Sequence, residues 1–385
     1  MRADPEGERG RAGRPRLDLP VRVRSELIPR QESAPKQDRD RLARRVAREV
    51  KVHSLAHRAL RNARSATRGS TVIVGPWCSE VGFELLYWIP FARRMLDAHG
   101  VPPERVVVVS RGGARDWYGD MAGQYADVLD WYSAERFYDE QRRRIAGGTE
   151  KQFSYTPFDH ELLARVRERY EAPRARVLHP STMYRRYRAV WMRRRALSLI
   201  EREVDFLPIA AEPRPPAGLS EGEYIAVKAY FSGSFPDTGE NRAALRMLLE
   251  RLASKAPVVL LDGGGVIDDH DHPELTGLDL TAGVLSGRPA TSLAEQTAIV
   301  RGARMLVSTY GGFSYLGPFL GVPTCAYYAS DFNRIHLELL RSAEHTLEAN
   351  RPAGTGTSGY LLFDIRQLAL IDELAGQPSP APVRP

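Results

Sequence analysis

Short apolar runs alternate with longer amphipathic stretches along most of this chain from about residue 70 onward. That alternation is the pattern of parallel α/β units, in which buried strands are separated by helices. Strands are expected at residues 71–77, 105–110 and 127–131, and again at 224–230, 257–262, 304–309 and 323–328. Helices are expected at 84–99, 134–145 and 181–203 in the first half, then at 242–255, 293–302, 313–320 and 333–343. A stretch rich in Pro, Ala and Gly at 211–218 separates the halves. A last strand at 360–363 and a helix at 365–374 could return to either.

The chain therefore reads as α/β, with two tandem Rossmann-like domains and a basic, largely disordered N-terminal extension. Its 385 residues are too many for one core and suit two. The expected divisions are the extension at 1–68, an acceptor-side domain at 69–210, a nucleotide-side domain at 219–345, and a C-terminal strand, helix and tail at 346–385.

Charge narrows the partners. The net charge is +7, but residues 1–68 hold 19 Lys and Arg against 9 acids, leaving 36 against 39 for the rest. The folded part is thus about neutral, and no helix-turn-helix, zinc-finger or RNA-binding signature supports specific nucleic-acid recognition. A second basic cluster, 174–202, interleaves arginines with Tyr184, Tyr187 and Trp191. On a helix this suits peripheral contact with an anionic membrane surface, an anionic acceptor, or an ordinary surface with arginines laid along it. Cys78 and Cys325 are the only cysteines and both sit in apolar runs, so neither a disulfide framework nor a cysteine zinc site is expected. No run is long enough for a membrane span, and the expected location is cytoplasmic, or peripheral at the inner face of a membrane.

In open α/β sheets ligands bind beyond the carboxyl ends of strands, so chemistry is sought just after each strand. Three segments qualify: Gly75 to Pro90, Lys228 to Arg242, and Tyr310-Gly311-Gly312 after the strand ending in Ser308 and Thr309. In the last, two residues without Cβ let backbone approach a ligand closely, and the first helical turn at Phe313 presents N–H groups to an anion. The same glycines could instead permit close packing. Lys228, Tyr230, Ser232 and Ser234 form a set suited to phosphate oxygens, and Arg242 is either a further phosphate contact or a surface cation. Asp262 and Gly263 end a strand where a ribose or base would lie. The acidic run Asp268 to His272 contains an Asp-x-Asp pattern, yet a polar loop beside the nucleotide is preferred to a metal site. Trp77 and Trp117, beside glycines and polar residues, are acceptor-stacking candidates.

With these segments in view the chain resembles the GT-B class of nucleotide-sugar glycosyltransferases, nearest in pattern to heptosyltransferase-like and bacterial polysaccharide glycosyltransferase-like members. Gly82 matches that family's glycine, Glu84 its acid and Pro90 the proline six residues on, over roughly residues 70–345. The resemblance implies transfer from a nucleoside diphosphate sugar to a glycan, lipid-linked or peptide acceptor, inverting and metal-independent, with no cofactor beyond the donor itself. Such chemistry needs a carboxylate to take the acceptor proton and a cationic cradle for the departing diphosphate. Glu84 is the first choice for the base and Glu80 the second, although an acid in a first helical turn also answers the helix dipole. Two alternatives stand beside this reading: a polysaccharide pyruvyl transferase-like enzyme on the same architecture, and a non-catalytic binding protein.

Overall fold

The computed structural model describes residues 71–148, 151–261, 281–282, 285–351 and 359–368. The basic extension, the acidic run after residue 262 and most of the expected C-terminal helix lie outside the described residues.

The first half is a four-stranded parallel sheet of β1 (Val72–Val74), β2 (Val106–Ser110), β3 (Gln124–Asp127) and β4 (Arg176–Leu178), in the order β3-β2-β1-β4. β2, four valines and a serine, is buried at every position, as a strand covered on both faces must be. Between β1 and β2 runs α1, residues 81–98. It comprises Val81–Phe83, a π-helical turn Glu84–Trp88 and Ile89–Ala98. Pro90 has no N–H to give and its ring crowds the carbonyl four residues back. The helix passes it by widening first, with the Ile89 N–H bonded to the Glu84 carbonyl.

Helices α2 (Ala134–Ala146) and α3 (Pro157–Arg169) lead to β4, and α4 (Ser181–Trp191) follows it. α3 starts with proline at its first position and a reciprocal Thr156–Asp159 capping box. The expected helix at 181–203 stops at Trp191, and only the short Ser198–Glu201 turn resumes it.

The second half is a six-stranded parallel sheet: β5 (Ile225–Lys228), β6 (Val258–Leu260), β7 (Thr281–Ala282), β8 (Met305–Thr309), β9 (Thr324–Tyr328) and β10 (Tyr360–Asp364). Its order is β10-β9-β8-β5-β6-β7. Counted within the half, this is the 3-2-1-4-5-6 order of dinucleotide-binding sheets, and the order reverses between β5 and β8. The connecting helices are α5 (Gly239–Ala253), α6 (Ser292–Gly302), α7 (Leu316–Leu320, entered through a 3₁₀ turn at Gly312–Tyr315) and α8 (Ile335–Ala349). β10 joins the second sheet beside β9, so the C-terminal strand belongs to this half.

The halves share apolar packing. One continuous buried cluster includes Val72, Trp88 and Tyr187 from the first half and Phe313, Phe319 and Leu340 from the second. At the start of α8, His336 reaches back to α1, with its ring against Phe83 and Tyr87.

Candidate functional site

The site is assembled where the N-terminus of α1 meets the glycine turn after β8. A Cβ on Gly312 would stand 2.8 Å from the Gly82 nitrogen, and a Cβ on Gly82 would collide with the Gly312 backbone. Only glycine at both positions lets the two backbones touch. Gly312 is therefore a contact between the halves, where the sequence pattern expected an open phosphate cradle. Gly311 has φ +141°, a conformation that side chains rarely adopt, and stays partly exposed.

On the second-half side, β5 and β8 end side by side at the point where the sheet order reverses. Lys228 is buried, its ammonium donating to the Leu261 carbonyl at 2.9 Å and lying 5.7 Å from the centre of the Phe313 ring. Ser308 and Thr309 are fully buried and knit strands together: the Thr309 hydroxyl donates to the Tyr230 carbonyl at 2.8 Å, and the Ser308 hydroxyl to the Thr309 carbonyl at 3.1 Å. Tyr230 and Phe313 are buried as well, and Tyr310 packs against Phe332. Ser232 and Ser234 sit in a tight turn with hydroxyls 2.9 Å apart, and Ser234 donates to the Tyr310 carbonyl at 2.8 Å. Ser232 and Gly233 form the open rim of this turn. Arg242 is exposed, held by both oxygens of Asp237 and lying over the Phe231 ring. Asp262 and Gly263 lie outside the described residues.

On the first-half side the structure separates the two acids. Glu84, expected as the base, is fully buried and fully engaged. One oxygen accepts from Ser110 at 2.5 Å and Tyr118 at 2.7 Å, the other from Arg111 at 2.5 Å. The π-helical turn aims it inward at the end of β2. No acceptor hydroxyl reaches it there, and Glu84 serves as an anchor between α1 and the β2 end. Glu80, just before α1, is partly exposed and ion-paired with Lys151, whose ammonium lies 4.1 Å from the centre of the Phe83 ring.

Both tryptophan expectations are corrected in the same way. Trp77 is fully buried, stacked between Trp88 and Tyr184. Trp117 is buried, and its indole N–H donates to Thr297 of α6 at 2.9 Å, tying the halves together. Neither ring has a face for a sugar. The aromatic residues between the arginines of α4 behave likewise, with Tyr184 and Tyr187 buried, Arg185 and Arg188 turned outward, and Arg186 half-buried against Glu203.

Three site residues have no counterpart in the sequence reading. Arg111 follows β2 directly, where the strand-end rule applied to this strand would have marked it. Lys151 lies in an irregular loop and His336 in a first helical turn, and neither position carries a periodic signal. The Tyr87 hydroxyl and His336 Nδ1 are 2.6 Å apart. Burial, with Lys151 nearby, holds His336 down to about 4, so the ring is neutral near pH 7. The linkage is directional. The unfolded chain binds a proton at this histidine below about pH 6.5 while the folded chain does not until about 4, so stability contributed here is lost as pH falls through that window. Acidification from pH 7 to 4 should remove up to about 3 kcal/mol through this residue. His336→Gln should flatten that part of the urea-denaturation profile, and an unchanged pH dependence in the variant would contradict the assignment.

Among the described residues no group of three or more His, Cys, Asp or Glu side chains is placed to hold a metal ion, and no helix is long and apolar enough to cross a membrane.

No family model and no curated protein matches this chain. Its fold is similar to those of solved heptosyltransferases and related glycosyltransferases. The E. coli ADP-heptose lipopolysaccharide heptosyltransferase II is 14% identical over 80% of this chain and 98% of its own, with a TM-score of 0.41. The iron-containing dodecameric glycosyltransferase TibC of enterotoxigenic E. coli H10407 is 14% identical over 68% of this chain, with a TM-score of 0.38, and this chain spans 58% of its length. A family 9 glycosyl transferase from Veillonella parvula DSM 2008 is 12% identical over 79% of this chain and 88% of its own, with a TM-score of 0.36.

Proposed function

We propose that this protein transfers a sugar from a nucleoside diphosphate sugar to an acceptor hydroxyl, with inversion and without a metal ion. The observation that carries the reading is the position of Lys228. It is a buried cation at the point of order reversal in a sheet of dinucleotide-binding topology, beside a glycine turn that touches the acid-bearing segment of the other half.

In this reading the diphosphate lies over the ends of β5 and β8. Lys228, the Ser232 and Ser234 hydroxyls, the Gly311 amide and the first-turn amides of α5 meet its charge. Glu80 takes the proton from the acceptor hydroxyl as that oxygen attacks the anomeric carbon from the face opposite the diphosphate. The bond to the diphosphate breaks, and the nucleoside diphosphate leaves with the electron pair. The sugar, the base and the acceptor, whether glycan, lipid-linked or peptide, are set by contacts beyond these residues.

The test is a thermal-shift series with GDP, UDP, ADP and dTDP on the full chain. A ligand at 100 times its dissociation constant should stabilise by about 2.7 kcal/mol, and the responding nucleotide identifies the base. Lys228→Met keeps the length and apolar stem of the side chain and should abolish the response. Silence of the wild-type protein to all four nucleotides would overturn the reading.

A further inference from the structure

The segment 174–202 carries nine arginines and one acid, Glu201, and the structure sorts them by face. Tyr184, Tyr187 and Val190 of α4 point into the core, while Arg185, Arg188 and Met192 share the outward stripe and Arg193, Arg194 and Arg195 continue it in the turn. Among the described residues Met192, 46% exposed, is one of the few large apolar side chains open to solvent. Arg185 donates to the Phe153 carbonyl at 2.6 Å, and Arg188 lies 5.4 Å from the centre of that ring. Arg193 is weakly paired with Glu338 at 3.6 Å. Among the described residues no carboxylate is within ion-pair distance of Arg185, Arg188 or Arg194.

Two features set this face apart from an ordinary solvated helix. The C-terminal dipole of α4 accounts for a cation or two in its last turn, but not for a continuous run along one side. In addition, Arg193 adopts φ +52°, the left-handed conformation in which helices usually end on glycine. An arginine occupies a position whose backbone favours a residue without a side chain.

We propose that this face docks the protein on an anionic lipid surface. The guanidinium groups would meet headgroup phosphates, which they can bind with two parallel hydrogen bonds, and Met192 would enter the boundary between headgroups and acyl chains. The patch is rigid before binding because its aromatic underside is already packed. Residues 151–153 join it to the Glu80–Lys151 pair, so docking would bring that pair close to the headgroup layer.

Sedimentation of the full chain with vesicles tests this, using phosphatidylcholine alone and phosphatidylcholine mixed equally with phosphatidylglycerol. The wild-type protein should bind the anionic vesicles, release with added salt, and leave the neutral ones unbound. Arg185→Gln, Arg188→Gln and Arg194→Gln combined should weaken binding on the order of a hundredfold, each surface arginine counting for about fivefold. Met192→Asp, checked for an unchanged circular dichroism spectrum, should weaken it separately. Equal binding to both vesicle types, absence of binding to anionic vesicles, or a triple variant that binds like wild type would each overturn the proposal. The last result would assign attachment to the basic N-terminal extension.

Discussion

Replacing Arg111 with methionine is expected to lower the unfolding free energy by about 3 to 5 kcal/mol, because it leaves the Glu84 carboxylate buried without its counter-charge. The side chains of this pair are 1% and 0% exposed, with Nη1 and Oε2 2.5 Å apart. Burial works against the arginine's charge, and Glu84 more than restores it. Ser110 and Tyr118 can still donate to the carboxylate, but neither carries charge, and the Ser79 carbonyl loses its guanidinium donor as well. For a chain of this size the melting temperature should fall by roughly 10 °C. Combining the change with Glu84→Gln should recover much of the loss, since the doubly altered site holds no unpaired ion. A drop under about 1 kcal/mol in the single variant, measured by urea denaturation, would show that water or another cation reaches Glu84, and the anchoring role would fail.

Turnover should fall by about a hundredfold to ten-thousandfold in Glu80→Gln, the range associated with loss of a general base, while the affinity for the nucleoside diphosphate stays as it was. Glutamine fills the same space but accepts no proton at neutral pH. Lys151 pairs with Glu80 and holds its carboxylate in place beside the Phe83 ring, so Lys151→Met should lower kcat while leaving the fold and the nucleotide affinity in place. On the proposed mechanism, in which backbone amides and Lys228 would carry the charge that a metal otherwise neutralises, EDTA should change the rate by less than about twofold. Full activity in Glu80→Gln would remove this residue from the chemistry. Activity abolished by EDTA and restored by Mn²⁺ would replace the proposed mechanism with a metal-assisted one.

The frame of the fold was legible because buried strands and amphipathic helices leave periodic marks. β2, β5, β8 and β9 fall close to their expected places, as do α1, α2, α5 and α6. β4 has no mark in the sequence because its three residues, Arg176 to Leu178, are too few to show an alternation, and β3 ends where the expected strand begins since Asp127 caps a 3₁₀ turn. Side-chain direction was harder to read. The spacing from Glu84 to Pro90 located an acid on a helix, but the π-helical turn that rotates it inward is a backbone adjustment with no periodic signature. Its partner Arg111 is 27 residues away. Trp77 and Trp117 stand beside glycines and polar residues, which reads as surface in one dimension and is a junction between packed elements in three.

The touching backbones of Gly82 and Gly312 also bear on when this site comes into being. The contact closes about 230 residues of chain, so it belongs to the slowest class of native contacts, those whose loop entropy must be met before any partner rewards them. During synthesis Glu80 is available long before β8 and its glycine turn have been made. A chain interrupted anywhere short of Gly312 would carry the acid without the turn that faces it, and the site would then arrive late and all at once rather than growing with length.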